Sequence, residues 1–290
     1  LQRILNKLKA QGQELIQFCN VNQGIVTGAD KLSRRHIDNY NINGSVGDGI
    51  FVLVDQEVDQ LSLNTFDKKL LKPWFKNSDI MQYFTGNNTH EKVIYFDRKA
   101  KEISNSYKQF LFKYNKILKQ RREVINGVIN WWQLQWPRDK TIFESPKIVA
   151  PQRSTRNTFG YNEVPWYASA DVYFITQKSN EVELKYCLAL LNSNLYYLWL
   201  YHKGKRKGEA LELYQIPLSE IPIKIIPKLE QQPFVNIVDK ILDITKDADY
   251  LSNPAKKDKV KDLEHEIDEL VYKLYDLTPE EIAIVEGNRK

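Results

Sequence analysis

The sequence predicts an α+β protein, in which a mixed-sheet domain is followed by a C-terminal helical, coiled-coil-like unit. Three observations lead to this. Short runs rich in β-branched and aromatic residues, bounded by turn residues, recur between Phe18 and about Pro227. Two stretches of helical character interrupt them. Pro217, Pro222, Pro227 and Pro233 then punctuate the chain, and two further helical stretches follow.

In chain order, residues 1–18 place Ile4, Leu5, Leu8, Leu15 and Ile16 at helical spacing, which predicts an amphipathic lead-in helix. Strands are expected at Gly49–Val54, Val93–Phe96, Lys147–Ala150 and Asp171–Thr176, from their β-branched and aromatic content with turn residues between them. Helices are expected from Ser104 to about Ile125 and from Val182 to about Tyr201, the second apolar all round and therefore buried. After the prolines come helices near Phe234–Ile244 and Val260–Leu277. In the last of these Val260, Leu263, Ile267, Leu270, Val271 and Leu274 form one apolar stripe that needs a partner helix. The expected domains are a lead-in helix at 1–18, a mixed α+β domain at 19–228 and a helical unit at 229–290.

The chain has 290 residues, 42% apolar and 27% charged, a composition that excludes disordered and fibrous classes. No apolar run approaches the roughly 18 residues of a bilayer span. The N-terminus has neither the apolar centre nor the cleavage site of a signal peptide, so a cytoplasmic protein is expected. Cys19 and Cys187 each lie in an apolar stretch and read as buried free thiols. The chain starts at Leu1 and holds a single methionine, Met81, so a piece of a longer polypeptide is expected. The net charge of +5 hides a split. Residues 229–290 carry 15 Asp/Glu against 9 Lys/Arg, leaving 33 Lys/Arg against 22 Asp/Glu in the body. A basic body rich in Trp and Tyr favours a polyanionic partner.

Catalytic signatures are sparse. His36, His90, His202 and His265, with two distant cysteines, make no metal-ligand spacing. The glycines of Asn43–Gly49 lack the order of a phosphate loop and read as a turn before the Ile50 strand. Neither a Walker sequence nor the Asn/Asp-Pro-Pro-Tyr/Phe tetrapeptide of amino-methyltransferases is present. Asp171 followed by Glu183-Leu-Lys185 has the acid, acid-x-lysine order of Mg²⁺-dependent nucleases. That order also arises by chance in so charged a chain, and Glu183 and Lys185 fall in an expected helix. A metal-dependent nuclease built on Asp171, Glu183 and Lys185 is therefore one alternative, and a protein-interaction scaffold using the acidic tail is another.

Two polar segments suit nucleic acid better. His202-Lys-Gly-Lys-Arg-Lys-Gly208 sets Lys203, Lys205, Arg206 and Lys207 between two glycines, a mobile cationic loop able to neutralise several phosphates. Pro151-Gln-Arg-Ser-Thr-Arg-Asn-Thr158 offers Arg153 and Arg156 as bidentate donors to guanine, and Gln152 and Asn157 as partners for adenine edges. Lys31, Arg34 and Arg35 are further DNA candidates. Trp131, Trp132, Trp136, Trp166 and Tyr167 have faces for base stacking, but most of them read as core aromatics.

Five blocks together carry a family resemblance. They are Phe18-Cys-Asn-Val-Asn-Gln-Gly-Ile-Val-Thr-Gly-Ala-Asp30, Leu71-Lys-Pro-Trp-Phe-Lys-Asn-Ser-Asp-Ile80, Leu188-Ala-Leu-Leu-Asn-Ser-Asn-Leu195, Ile221-Pro-Ile223 and His265-Glu-Ile-Asp-Glu-Leu-Val-Tyr-Lys-Leu-Tyr-Asp-Leu-Thr-Pro-Glu-Glu281. In this order they resemble the TaqI-like C-terminal specificity domains that close bacterial Type IIG restriction-modification enzymes and related adenine-N6 DNA methyltransferases. The resemblance implies that Gln23, Gly24, Ile25, Thr27 and Gly28 open a target-recognition domain. It implies that Leu190–Ser193 begin the helix closing its core, and that Asp268, Leu270, Val271 and Leu274 belong to the terminal helix. It further implies double-stranded DNA as partner, and upstream methyltransferase and nuclease domains that carry the chemistry, S-adenosylmethionine and Mg²⁺. This stretch itself is then expected to be neither catalytic nor cofactor-binding. The target base would flip into the upstream domain.

Overall fold

The computed structural model describes residues 1–287. One five-stranded sheet organises them, in the order Cys19–Gln23, Val172–Gln177, Lys147–Pro151, Gly160–Asn162 and Tyr83–Phe84. The first four strands pair antiparallel, and Tyr83–Phe84 adds in parallel at the edge. In the two central strands Ile148, Ala150, Tyr173 and Ile175 face one hydrophobic core, and Val149, Val172 and Phe174 face another. Both strands therefore read as continuous apolar runs rather than alternating ones, as expected where both faces are covered.

The first core is mainly helical. Ile4, Leu5 and Leu8 of the lead-in helix Gln2–Gln11 meet Leu184–Asn192 and Asn194–Lys203, together with the tail helices Lys228–Thr245 and Pro254–Leu274. The tail supplies Phe234, Val238 and Ile241 from one helix and Val260, Leu263, Ile267 and Val271 from the other. Burying such a side chain contributes about 1.5–3 kcal/mol. Lys7 fastens the lead-in helix to the tail, donating to Glu281 at 2.6 Å and to the Asp276 carbonyl at 2.7 Å. Cys19 and Cys187 are free thiols buried in this core. A hydrogen bond with Cys19, together with burial, raises the Cys187 thiol well above its ordinary range.

The second core is aromatic. A four-stranded sheet, in the order Tyr167–Ala168, Leu71–Phe75, Glu91–Ile94 and Val52–Val54, packs Phe75 flat on Trp166 at 4.8 Å between ring centroids. Phe143, Tyr167, Phe96, Trp132 and Tyr107 extend the cluster through edge and tilted contacts. Trp132, Trp166 and Tyr167 are thus core residues, as most of the aromatic block was expected to be.

Three expected helices differ in the structure. The stretch from Ser104 breaks into Asn105–Phe112, Asn115–Leu118 and Arg122–Ile125. The stretch from Val182 becomes two helices because Ser193 takes an extended conformation (φ −70°, ψ 158°) and caps the second, accepting from the Tyr196 N–H. Asp268 of the tail accepts from the Asn194 N–H at 2.7 Å, so two of the family-like blocks meet at this break. Pro233, expected as a boundary, lies inside Lys228–Thr245.

Candidate nucleic-acid interface

The helix Asn194–Lys203 stops at Gly204, and the chain returns as a tight hairpin. Lys205–Lys207 pairs antiparallel with Ala210–Glu212 across the two turn residues Gly208 and Glu209. Gly208 has φ 62°, a left-handed value for which two-residue hairpins favour glycine. The basic segment is thus mostly a strand rather than the mobile loop expected from its glycines. Ala210–Glu212 pairs in turn with Arg153–Ser154, and the result is a three-stranded ribbon. Two polar segments some fifty residues apart in sequence therefore share one small sheet.

The register places Glu212 between Lys205 on one neighbouring strand and Arg153 on the other. Its carboxylate is 5% exposed. Arg153 Nε donates to Glu212 Oε1 at 3.1 Å, Arg153 Nη2 donates to the Tyr214 hydroxyl at 3.2 Å, and Lys205 Nζ lies 3.3 Å from Glu212 Oε2. Burial alone pushes a carboxyl up, but donations from Lys205, Arg153 and Tyr214 outweigh it and hold Glu212 below its ordinary range. Lys205 also sits 4.8 Å from the centroid of the Tyr214 ring, and Arg206 stacks on Tyr201 at 4.0 Å. Lys203 and Lys207 are exposed and make no ion pair among the described residues.

The other sequence candidates separate by environment. Gln152 is half-buried and Tyr173 accepts its side-chain hydrogen bond. Arg156 is exposed on the turn beyond the ribbon. Asn157 is 2% exposed, and its amide donates to the carbonyls of Leu191 at 2.8 Å and Ser193 at 2.9 Å. The expectation that Asn157 reads bases is therefore corrected, since both of its donor hydrogens are spent on the break between the two helices. Lys31 is bound to Glu91 at 2.6 Å on the side of the second core, where Arg34 and Arg35 open a short exposed helix. These three do not join the ribbon. The nuclease candidates do not assemble either. Asp171 is exposed at the start of its strand and lines a cleft of about 850 Å³ with Thr27, Asp30 and Glu91. Glu183 pairs with Lys228, and Lys185 pairs with Asp239 in a separate cavity.

Sequence reasoning missed Glu212 and Tyr214, which hold Arg153 on the ribbon, and Tyr173, which meets Tyr214 edge to face at 6.1 Å from the neighbouring five-stranded sheet. Only the alternation Glu212-Leu213-Tyr214 hinted at a common face. Trp136, unlike the other members of the aromatic block, is 38% exposed and carries the Arg98 guanidinium 4.6 Å from its ring centroid. The family-like Gln23–Gly28 block leaves the edge strand at Gln23 and bridges through Ile25 to Ser169 and through Val26 to Trp136. A Cβ at Gly24 would lie 2.2 Å from the Ser169 carbonyl oxygen, so only glycine fits there.

Comparisons with known proteins follow the same lines. The family model of the TaqI-like C-terminal specificity domain matches residues 72–223. The Type II methyltransferase M.HindII of Haemophilus influenzae is 27% identical over 216 residues, covering 72% of this chain and 38% of that protein. The Type II methyltransferase M.HincII of Haemophilus influenzae is 30% identical over 148 residues, covering 48% of this chain and 28% of that protein. The chain thus spans less than two-fifths of the length of these relatives. Among solved structures, the Type IIL restriction-modification enzyme MmeI in complex with DNA superposes with a TM-score of 0.64 over 95% of this chain and 36% of that one, at 14% identity, a likeness of fold. With more than half of its residues matched by the family model, this chain belongs to the TaqI-like C-terminal specificity domain family.

Proposed function

We propose that this chain reads the DNA target of a restriction-modification enzyme, with the chemistry carried by other domains of the same polypeptide. The observation that carries the reading is the ribbon, where Arg153 and Lys205 flank a buried carboxylate and Arg206 and Lys207 make no ion pair among the described residues. Lys203, Arg206 and Lys207 grip phosphates, joined by Lys205 when it turns outward from Glu212. Arg153 and Gln152 present donors toward base edges, and the exposed Arg156 adds a phosphate contact. Lys31, Arg34 and Arg35 are peripheral to this surface. Residues 19–228 carry recognition, and 229–290, with the lead-in helix, hold its orientation relative to the catalytic part. M.HindII and M.HincII are named methyltransferases, which supports a methyltransferase in the parent. Adenine-N6 as its target, S-adenosylmethionine as its donor and a fused Mg²⁺-dependent nuclease belong to the same proposal.

Selection of duplexes from a random pool by the isolated chain tests the reading. Enrichment of one short motif is expected. Recovery of unenriched sequences, or no retention of duplex at moderate salt, overturns it.

A further inference from the structure

We propose that Glu212 is a positioning residue for base recognition: it fixes the Arg153 guanidinium so that Arg153 specifies a guanine instead of gripping a phosphate. The inference rests on the reading of the ribbon as a DNA-contacting surface. Glu212 and Tyr214 engage the Nε and Nη2 side of Arg153, with Nε 3.1 Å from Glu212 Oε1 and Nη2 3.2 Å from the Tyr214 hydroxyl. Nη1 makes no hydrogen bond among the described residues, so the outward edge of a planar, oriented fork is left to meet two acceptors. Guanine presents such a pair, O6 and N7, in the major groove.

Charge separates the two roles of an arginine. A phosphate is attracted to net positive charge, and a guanidinium that shares a 5% exposed glutamate with Lys205 offers less of it than an arginine without a carboxylate neighbour. A base edge is neutral, so it needs donors in the right geometry and no net charge. Arg206 and Lys207, on the strand that ends the ribbon, have no carboxylate partner among the described residues and suit phosphate, while the Arg153–Glu212 pair suits a base. Tyr214 adds to the arrangement by donating to Glu212 Oε1 at 3.2 Å while accepting from Arg153, which fixes both groups at once. Glu212 itself lies too deep to meet a base, so it acts through Arg153.

Glu212→Gln keeps the shape and the hydrogen-bonding oxygen but removes the charge. Binding of the parent, Glu212→Gln and Arg153→Lys to a panel of single-base-substituted duplexes is compared at one salt concentration, and non-specific binding is measured across a salt series. Both variants are expected to relax preference at the same single base pair, by about fivefold or more. Glu212→Gln should at the same time tighten non-specific binding and steepen its log-affinity against log-salt slope by roughly 0.9. Loss of a merely structural contact would weaken both kinds of binding. Full retention of the parent's ranking by Glu212→Gln, relaxation at a different base pair from Arg153→Lys, or parallel loss of specific and non-specific affinity would each overturn the assignment while leaving the ribbon a DNA surface. A parent chain with no preference at all would overturn that reading as well.

Discussion

The ribbon's outer strand sets a quantitative expectation for salt dependence. Replacing Arg206 and Lys207 together by alanine removes two exposed cations without touching the Glu212 cluster. Each phosphate contact contributes about 0.9 to the log–log salt slope, so the double variant should bind with a slope flatter by about 1.8. Between about 50 and 200 mM salt one contact corresponds to roughly a 3.5-fold change in affinity, and two correspond to roughly 12-fold. The double variant should therefore lose about 12-fold less affinity than the parent over that range, on specific and non-specific duplexes alike. Lys205→Ala should alter the slope by less than about 0.9, because in the free chain Lys205 is 3.3 Å from Glu212 and must leave that carboxylate to meet a phosphate. Fluorescence anisotropy titrations at five salt concentrations measure all three slopes. An unchanged slope in the double variant would remove this strand from the interface, and a Lys205→Ala effect as large as half that of the double variant would refute the neutralisation argument.

Arg156 makes no side-chain hydrogen bond or ion pair among the described residues, so Arg156→Lys should keep the parent's site ranking, whereas Arg156→Ala should flatten the salt slope; a ranking altered by the Lys variant would make Arg156 a base reader in its own right. Gly24→Ala should lower stability by about 1–3 kcal/mol in urea unfolding, because the new methyl meets two backbone carbonyls, Ser169 at 2.2 Å and Ala168 at 2.6 Å; a midpoint equal to the parent's would show that this sheet edge can yield. Lys147 is wholly buried, and burial pushes its ammonium down to about 7, while in the unfolded chain a lysine titrates near 10.4. Between those values the unfolded state holds a proton that the native state has released, so the parent's stability should rise from pH 7 toward 10 relative to that of Lys147→Met; a difference constant over that window would contradict the shift.

Much of the architecture was legible because it follows local rules. The strands around Ile148 and Phe174 and the tail stripe were visible as apolar runs and helical spacing, and Val260, Leu263, Ile267 and Val271 of that stripe are buried, with Leu270 and Leu274 packed at the core's edge. The break at Ser193 was hidden because an apolar stretch on both sides of an Asn-Ser-Asn cap still looks like one helix; what decides it is the tertiary bond from Asp268. Asn157 was misread for a related reason. Asn in a polar loop has the same sequence appearance whether its amide faces solvent or two helix-end carbonyls. Glu212 was missed because its importance comes from strand pairing with Arg153 across 59 positions, and no local pattern encodes that register.

The fold suits this ribbon to the proposed role. Both faces of the five-stranded sheet are sealed by cores, one helical and one aromatic, so an outside ligand can meet the sheet only at its edges and ends. The strand Lys147–Pro151, buried at every position, leads through Gln152 directly into Arg153. Gln152 is held by the backbone on both sides, its N–H donating to Asp171 at 2.7 Å and its carbonyl accepting from Leu213 at 3.0 Å. Arg153 thus inherits its position from a strand buried at every residue. Leu211, 1% exposed, anchors the middle strand of the ribbon in the helical core, and Glu212 beside it fixes the Arg153 side chain. Rigidity matters for this role because a base is recognised by angle and distance within a few tenths of an ångström, whereas a phosphate tolerates a moving lysine. The exposed cations Lys203, Arg206 and Lys207, without ion pairs among the described residues, lie on the outer strand and at the end of the preceding helix, where strict positioning is not needed. Moving the Arg153–Glu212 pair to the outer strand would keep every charge but lose the connection to the sheet, so it is the covalent continuity of Lys147–Ser154 with the core, more than net charge, that suits this ribbon to reading sequence.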